Sequence, residues 1–183
     1  MRVRNPVGVL PGLAVAAVAA LLGFDAGAQD EWTTFTSEEG RFSVLVPDEP
    51  VKSELRQHSF VGTVVDHIFT SEASDASYTV DYSDIPHFAL DFAGPDTIYE
   101  HAKGALLKKT FGKPTSYTDA SVSGAAGKRL VYDTPPAPGR PKMRGDAVLV
   151  LVGSRLYVID VVSPESVAEA RAERFLSSVD LLR

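Results

Sequence analysis

The chain of 183 residues has no cysteine. That absence excludes disulfide staples, thiolate metal sites and cysteine nucleophiles. It also closes the lipoprotein route, which needs a cysteine at the cleavage point for acylation. Basic charge is short as well: the net charge is −6, the wrong sign for non-specific nucleic-acid binding. Histidine occurs only four times, which leaves little material for imidazole chemistry. Beyond residue 28 no long apolar run occurs, so no membrane span is expected there.

Several catalytic and nucleotide-binding signatures are missing too. "FGKPTS" contains a Gly-Lys pair, but Leu107 stands where a phosphate loop needs its first glycine, and Pro114 replaces the hydroxyl residue. There is no G-x-S-x-G elbow, no G-x-G-x-x-G fingerprint and no H-E-x-x-H pair. A serine hydrolase assembled from distant residues is a remote third reading.

What is present begins with Arg2 and Arg4, an Ala/Val/Leu-rich stretch and the small-residue pattern Ala26-Gly27-Ala28. A basic start, an apolar centre and an A-x-A site read as a secretory signal peptide over residues 1–28, cut before Gln29. Arg2 and Arg4 are not adjacent, so a twin-arginine signal is unsupported. Cleavage would remove both arginines but only Asp25 among the acids, leaving residues 29–183 more acidic still. That length suits one domain, expected in the periplasm or outside the cell.

Hydrophobic periodicity then divides the chain. In "RFSVLVP", Phe42, Val44 and Val46 alternate with Ser43 and Leu45, as on a strand with one buried face. Gly40 is expected to supply the left-handed turn residue before it. "VKSELRQHSF", "VGTVVDHIFTSE" and "SYTVDYSDI" read as further strands of an antiparallel meander. The period changes at "GPDTIYEHAKGALLKKTFG", where Ile98, Ala102, Ala105 and Leu106 mark one face of a helix. Pro95 is expected in its first turn and Gly112 at its left-handed stop. "SYTDASVSG" and "KRLVYDT" resume the strands. "DAVLVLVGSRLYVIDVV" reads as a hairpin turning at Gly153-Ser154, covered on both faces and central to the sheet. A last helix is expected after Ser163 as N-cap and Pro164, burying Ala168, Ala172, Phe175, Leu176 and Val179.

Phe35, Ser37, Glu39, Gly40, Phe42, Ser43, Val44, Pro47 and Pro50 resemble the opening of bacterial PsbP-like exported domains. Gly124, Gly127-Lys128-Arg129, "RLYVI" from Arg155 and "RFLSSVDL" from Arg174 follow in matching order, with Val179 where an aromatic is expected. The resemblance implies an α+β fold, an antiparallel β-sheet flanked by helices in a PsbP-like α/β/α sandwich. It also implies a non-catalytic role, since the plant and cyanobacterial namesakes are extrinsic subunits of the oxygen-evolving complex.

The functional expectation is therefore an exported, non-catalytic interaction or assembly protein of the bacterial cell envelope, with no cofactor. The candidate contact is the proline-rich loop "PPAPGRPKMRG". There Arg140, Lys142 and Arg144 stand against an acidic background and suit an acidic envelope protein or polymer. The alternative is a small-ligand or metal-binding periplasmic protein. For that reading His58 and His67 would face each other across a hairpin, with Asp66 or Asp81 adding oxygen. A second acid-histidine group, Asp81, Asp84, His87 and Asp91, is expected on a strand-end loop.

Overall fold

The computed structural model describes residues 32–59 and 62–182. The segment read as a signal peptide, residues 1–28, lies outside the described residues. Ten strands and two helices run in the order β1 (Thr33–Ser37), β2 (Phe42–Val46), β3 (Val51–Ser59), β4 (Gly62–Glu72), β5 (Ser77–Asp84), α1 (His87–Thr110), β6 (Lys113–Val122), β7 (Ala125–Asp133), β8 (Met143–Val152), β9 (Arg155–Pro164), α2 (Ala168–Ser177) and β10 (Asp180–Leu181).

Seven strands form one antiparallel sheet in the order β3-β4-β5-β9-β8-β7-β6. The β8–β9 hairpin turns on Gly153-Ser154, pairing Val152 with Arg155, and β9 is the middle strand, as its continuous apolar sequence implied. The opening hairpin β1–β2 does not join this sheet. With β10 it makes a separate three-stranded sheet, Leu181 pairing with Phe42.

Strand alternation sends successive side chains to opposite faces, and the two faces of the large sheet have different covers. Tyr78, Val80, Val148, Val150, Ile159 and Val161 meet the small sheet and α2. Phe175 of α2 is 1% exposed and packs edge-on to Tyr78 at 5.1 Å. The opposite face meets α1, whose Ile98, Tyr99, Ala102 and Leu106 pack on Leu130, Tyr132, Ala147, Leu149 and Leu156. Among the described residues no helix is long and apolar enough to cross a membrane.

Four local expectations are corrected. α1 starts at His87, eight residues before Pro95, and breaks at Gly94 (φ 71°, ψ 163°), so Pro95 opens only its second segment. The helix ends on Phe111 in the left-handed region (φ 51°), not on Gly112. Gly112 is needed for room: a Cβ there would lie 2.6 Å from the Tyr132 ring. The first turn repeats the substitution, with Arg41 at φ 53° and Gly40 crowded by Phe42 and the Ser37 Oγ. Ser163 caps no helix. It pairs with Arg144 inside the β8–β9 ladder, and α2 starts at Ala168 behind Val167, with Val179 buried just past its end.

Candidate functional site

α1 crosses only part of its face of the large sheet. It packs against β7 and β8, leaving β4, β5 and β9 with a cleft of about 650 Å³ between them and the last two turns of the helix. The size is that of a small-molecule site. Apolar walls come from Leu55, Ile68, Leu106, Leu156, Val158 and Val162. The floor is polar: β5 presents Ser77, Thr79, Asp81 and Ser83 in alternate positions, and Asp160 comes from neighbouring β9.

Asp160 is only 8% exposed. The Tyr132 hydroxyl donates to its carboxylate, 2.8 Å and 3.0 Å from the two oxygens. Tyr132 stands on β7, two strands away, and its ring lies across β8 at Gly145, its cross-strand partner. A Cβ on Gly145 would come 2.0 Å from that ring, so Gly145 and Gly112 together leave the channel in which Tyr132 lies. Burial raises the Asp160 carboxyl to about 7, although the Tyr132 hydrogen bond and the charge of Lys109 pull it down. Burial also raises Asp81 to about 7, with repulsion from Asp66 adding to it and Lys109 opposing. Asp66 is held by the Gln57 amide. Tyr132 itself is pushed well above the ordinary phenol range, first by burial and then by the Asp160 charge.

The histidines are not part of this arrangement. His67 faces the other side of the sheet, where it stacks on Tyr82 at 4.7 Å and its Nδ1 lies 3.2 Å from Glu54. Strand alternation therefore separates it from Asp66 and Asp81. His58 pairs with Thr63 and His67 with Glu54, so register does not set the two histidines opposite each other. The second group is dispersed as well. Asp81 lies in the cleft, Asp84 forms a fork with Arg155 on the opposite face at 2.8 Å, and His87 and Asp91 are exposed on the first segment of α1. Among the described residues no three His, Cys, Asp or Glu side chains converge on a metal position.

The basic trio sits at the mouth of the proline-rich loop. Lys142 pairs with Asp133 at 3.1 Å and Glu165 at 3.0 Å, and Arg144 with Asp133 at 3.3 Å and Glu165 at 2.5 Å. The Asp133 carboxyl is held below its usual range by Lys142 first and by Arg144. Those two cations thus tie β7 and β8 to the turn before α2. Arg140 is exposed and, among the described residues, has no ion pair; it borders a neighbouring hollow that shares Ser77, Thr110 and Val162 with the cleft.

Sequence reasoning missed the cleft and Asp160. One signal was visible: Ser77, Thr79, Asp81 and Ser83 put four polar residues on one face of a strand whose other face is Tyr78, Val80 and Tyr82.

These features define an antiparallel α+β sandwich with one packed face and one partly open face. A scan against protein-family models and a search of curated proteins each returned no match. Among solved structures, the solution structure of cyanobacterial PsbP (CyanoP) from Synechocystis sp. PCC 6803 is similar over 97% of this chain and 99% of its own, at 13% identity and a TM-score of 0.56. PA94 of Pseudomonas aeruginosa, a protein of unknown function titled a putative regulator, is similar over 78% of this chain and 88% of its own, at 13% identity and a TM-score of 0.40. A Bacteroides thetaiotaomicron protein is similar over 82% of this chain and 48% of its own, at 10% identity and a TM-score of 0.45. The chain has a PsbP-like fold, as its opening and closing motifs implied.

Proposed function

We propose that this chain is an exported, non-catalytic binding protein of the bacterial cell envelope, with the cleft beneath α1 as its recognition site. The cleft itself carries the reading: apolar walls surround a few fixed polar groups on rigid strands, the usual form of a ligand site. The non-catalytic part of the reading rests on the resemblance of the opening and closing motifs to PsbP-like exported domains. Export is supported by the signal-like pattern of residues 1–28.

The test is a fragment screen read by amide shift perturbation. Binding should move residues 77–83 and 156–162, and Ala105→Trp should abolish those shifts, because Ala105 is an exposed wall residue whose enlargement fills the space. Binders whose shifts survive Ala105→Trp would refute the cleft as the site.

A second reading, assembly through the connection between β7 and β8, residues 134–142, rests on exposed Arg140 and the prolines that stiffen its surroundings. Arg140→Glu should then weaken capture of an acidic polymer such as poly-glutamate at low salt. Unchanged capture would make the loop a connector.

A further inference from the structure

We propose that the cleft takes a small amphiphilic cation, an organic amine whose ammonium sits between Asp81 and Asp160 and whose apolar part lies along Ile68, Val158 and Val162. The inference rests on the cleft being the binding site.

Register supplies the geometry. Asp81 pairs with Val158 and Thr79 with Asp160, so the two carboxylates are diagonal neighbours on one face of adjacent strands. Such neighbours stand roughly 7–8 Å apart. An ammonium has three donors and no acceptor, so one group can bridge two carboxylates at that separation. Asp66 continues the diagonal, since Ile68 pairs with Asp81 and Asp66 with Ser83. A compact metal ion suits the line poorly, because its ligands must converge at about 2.0–2.6 Å.

The polar inventory selects charge as well. Ser77, Thr79 and Ser83 can donate or accept, whereas an ionised carboxylate is an acceptor only and so favours a ligand rich in donors. Tyr132 holds Asp160 in place from outside the cleft, whereas no hydrogen bond among the described residues reaches the Asp81 carboxyl. The cations facing the site are Lys108 and Lys109, both exposed on the last turn of α1, where water screens them. An ammonium brought inside would instead meet Asp81 and Asp160 in a low-dielectric setting, where a charge pair is stronger. The apolar walls then require that the amine carry a hydrophobic body, which a polar cation lacks.

Proton linkage follows from the same groups. Asp81 and Asp160 are poised at about 7, and an ammonium favours their ionised forms. Binding therefore releases protons, and affinity rises with pH towards the alkaline side of neutrality.

The experiment titrates the purified protein with 4-phenylbutylamine, 4-phenylbutanol and 4-phenylbutyrate, following amide shifts. The amine should bind at least about tenfold tighter than the alcohol at about pH 8, with shifts at Thr79, Asp81, Val158 and Asp160. Its affinity should drop at least about threefold at about pH 6. Asp81→Asn keeps the side-chain shape and removes the charge, so it should fold and lose the preference for amine over alcohol. Equal binding of amine and alcohol, or tighter binding of the butyrate, overturns the cation while leaving the cleft as a binding site. Cleft shifts from none of the three overturn both.

Discussion

The two faces of the seven-stranded sheet were given different covers, and the difference separates a closed apolar side from one that keeps polar groups. On one side the small sheet and α2 close over Tyr78, Val80, Ile159 and Val161, and Phe42, Val44 and Phe175 fill the space with no more than 1% exposure each. On the other side a single helix shields β7 and β8 and stops short of β4 and β5. The same strands therefore carry aromatics and valines towards one face and hydroxyls and carboxylates towards the other. Aromatic edge contacts such as Tyr78–Phe175 add to the burial that holds the closed face. The open face instead holds two acids whose charge the fold disfavours, a cost that a packing role alone would not retain.

The largest expected effect breaks the closed face. Phe175→Ala should cost about 3–5 kcal/mol, a large share of a domain's stability. An unchanged denaturation midpoint would mean that α2 is not the lid of the core. Next is Gly127→Ala on β7. A Cβ there would lie 2.2 Å from the Leu149 carbonyl oxygen, and backbone cannot yield as a side chain can. Loss of about 1–3 kcal/mol is expected by thermal unfolding; no loss would show that β7 and β8 are further apart.

A third effect sharpens the open face and lies in pH dependence. Asp81 and Asp160 have folded-state values of about 7, above the ordinary unfolded value of about 3.9. Between these limits the folded protein holds protons that the unfolded chain has released. Their contribution is thus full below about pH 4 and is lost as pH rises to about 7, at no more than about 1.4 kcal/mol per pH unit for each carboxyl. Asp81→Asn should flatten that decline in chemical denaturation, with little change near pH 4. A decline identical to wild type would show that Asp81 is not desolvated.

Much of the fold was legible because period and turn chemistry act locally. The β8–β9 hairpin, the seam of α1 around Ile98, Ala102 and Leu106, and the burial of Phe175 were all written in short-range pattern. The misassigned glycines show where local reading stops. Gly40 and Gly112 were read as left-handed positions, yet Arg41 and Phe111 take those angles while the glycines make room for Phe42 and Tyr132. Close approach depends on partners distant in sequence, which turn chemistry cannot reveal. The site was illegible for the same reason. Asp160 looked like one polar residue in a buried strand until register set it diagonal to Asp81 and Tyr132 reached it across Gly145. His67 and Asp66 are adjacent in sequence, and alternation alone sends them to opposite faces.

The central claim is that the open face holds desolvated carboxylates poised to receive a cation. Carbon-13 NMR titration of the Asp81 and Asp160 carboxyl groups tests it most directly, first in free protein and then with 4-phenylbutylamine. The account predicts midpoints near 7 that fall when the amine is added. Midpoints near the ordinary carboxylate value, unchanged by the amine, would contradict it.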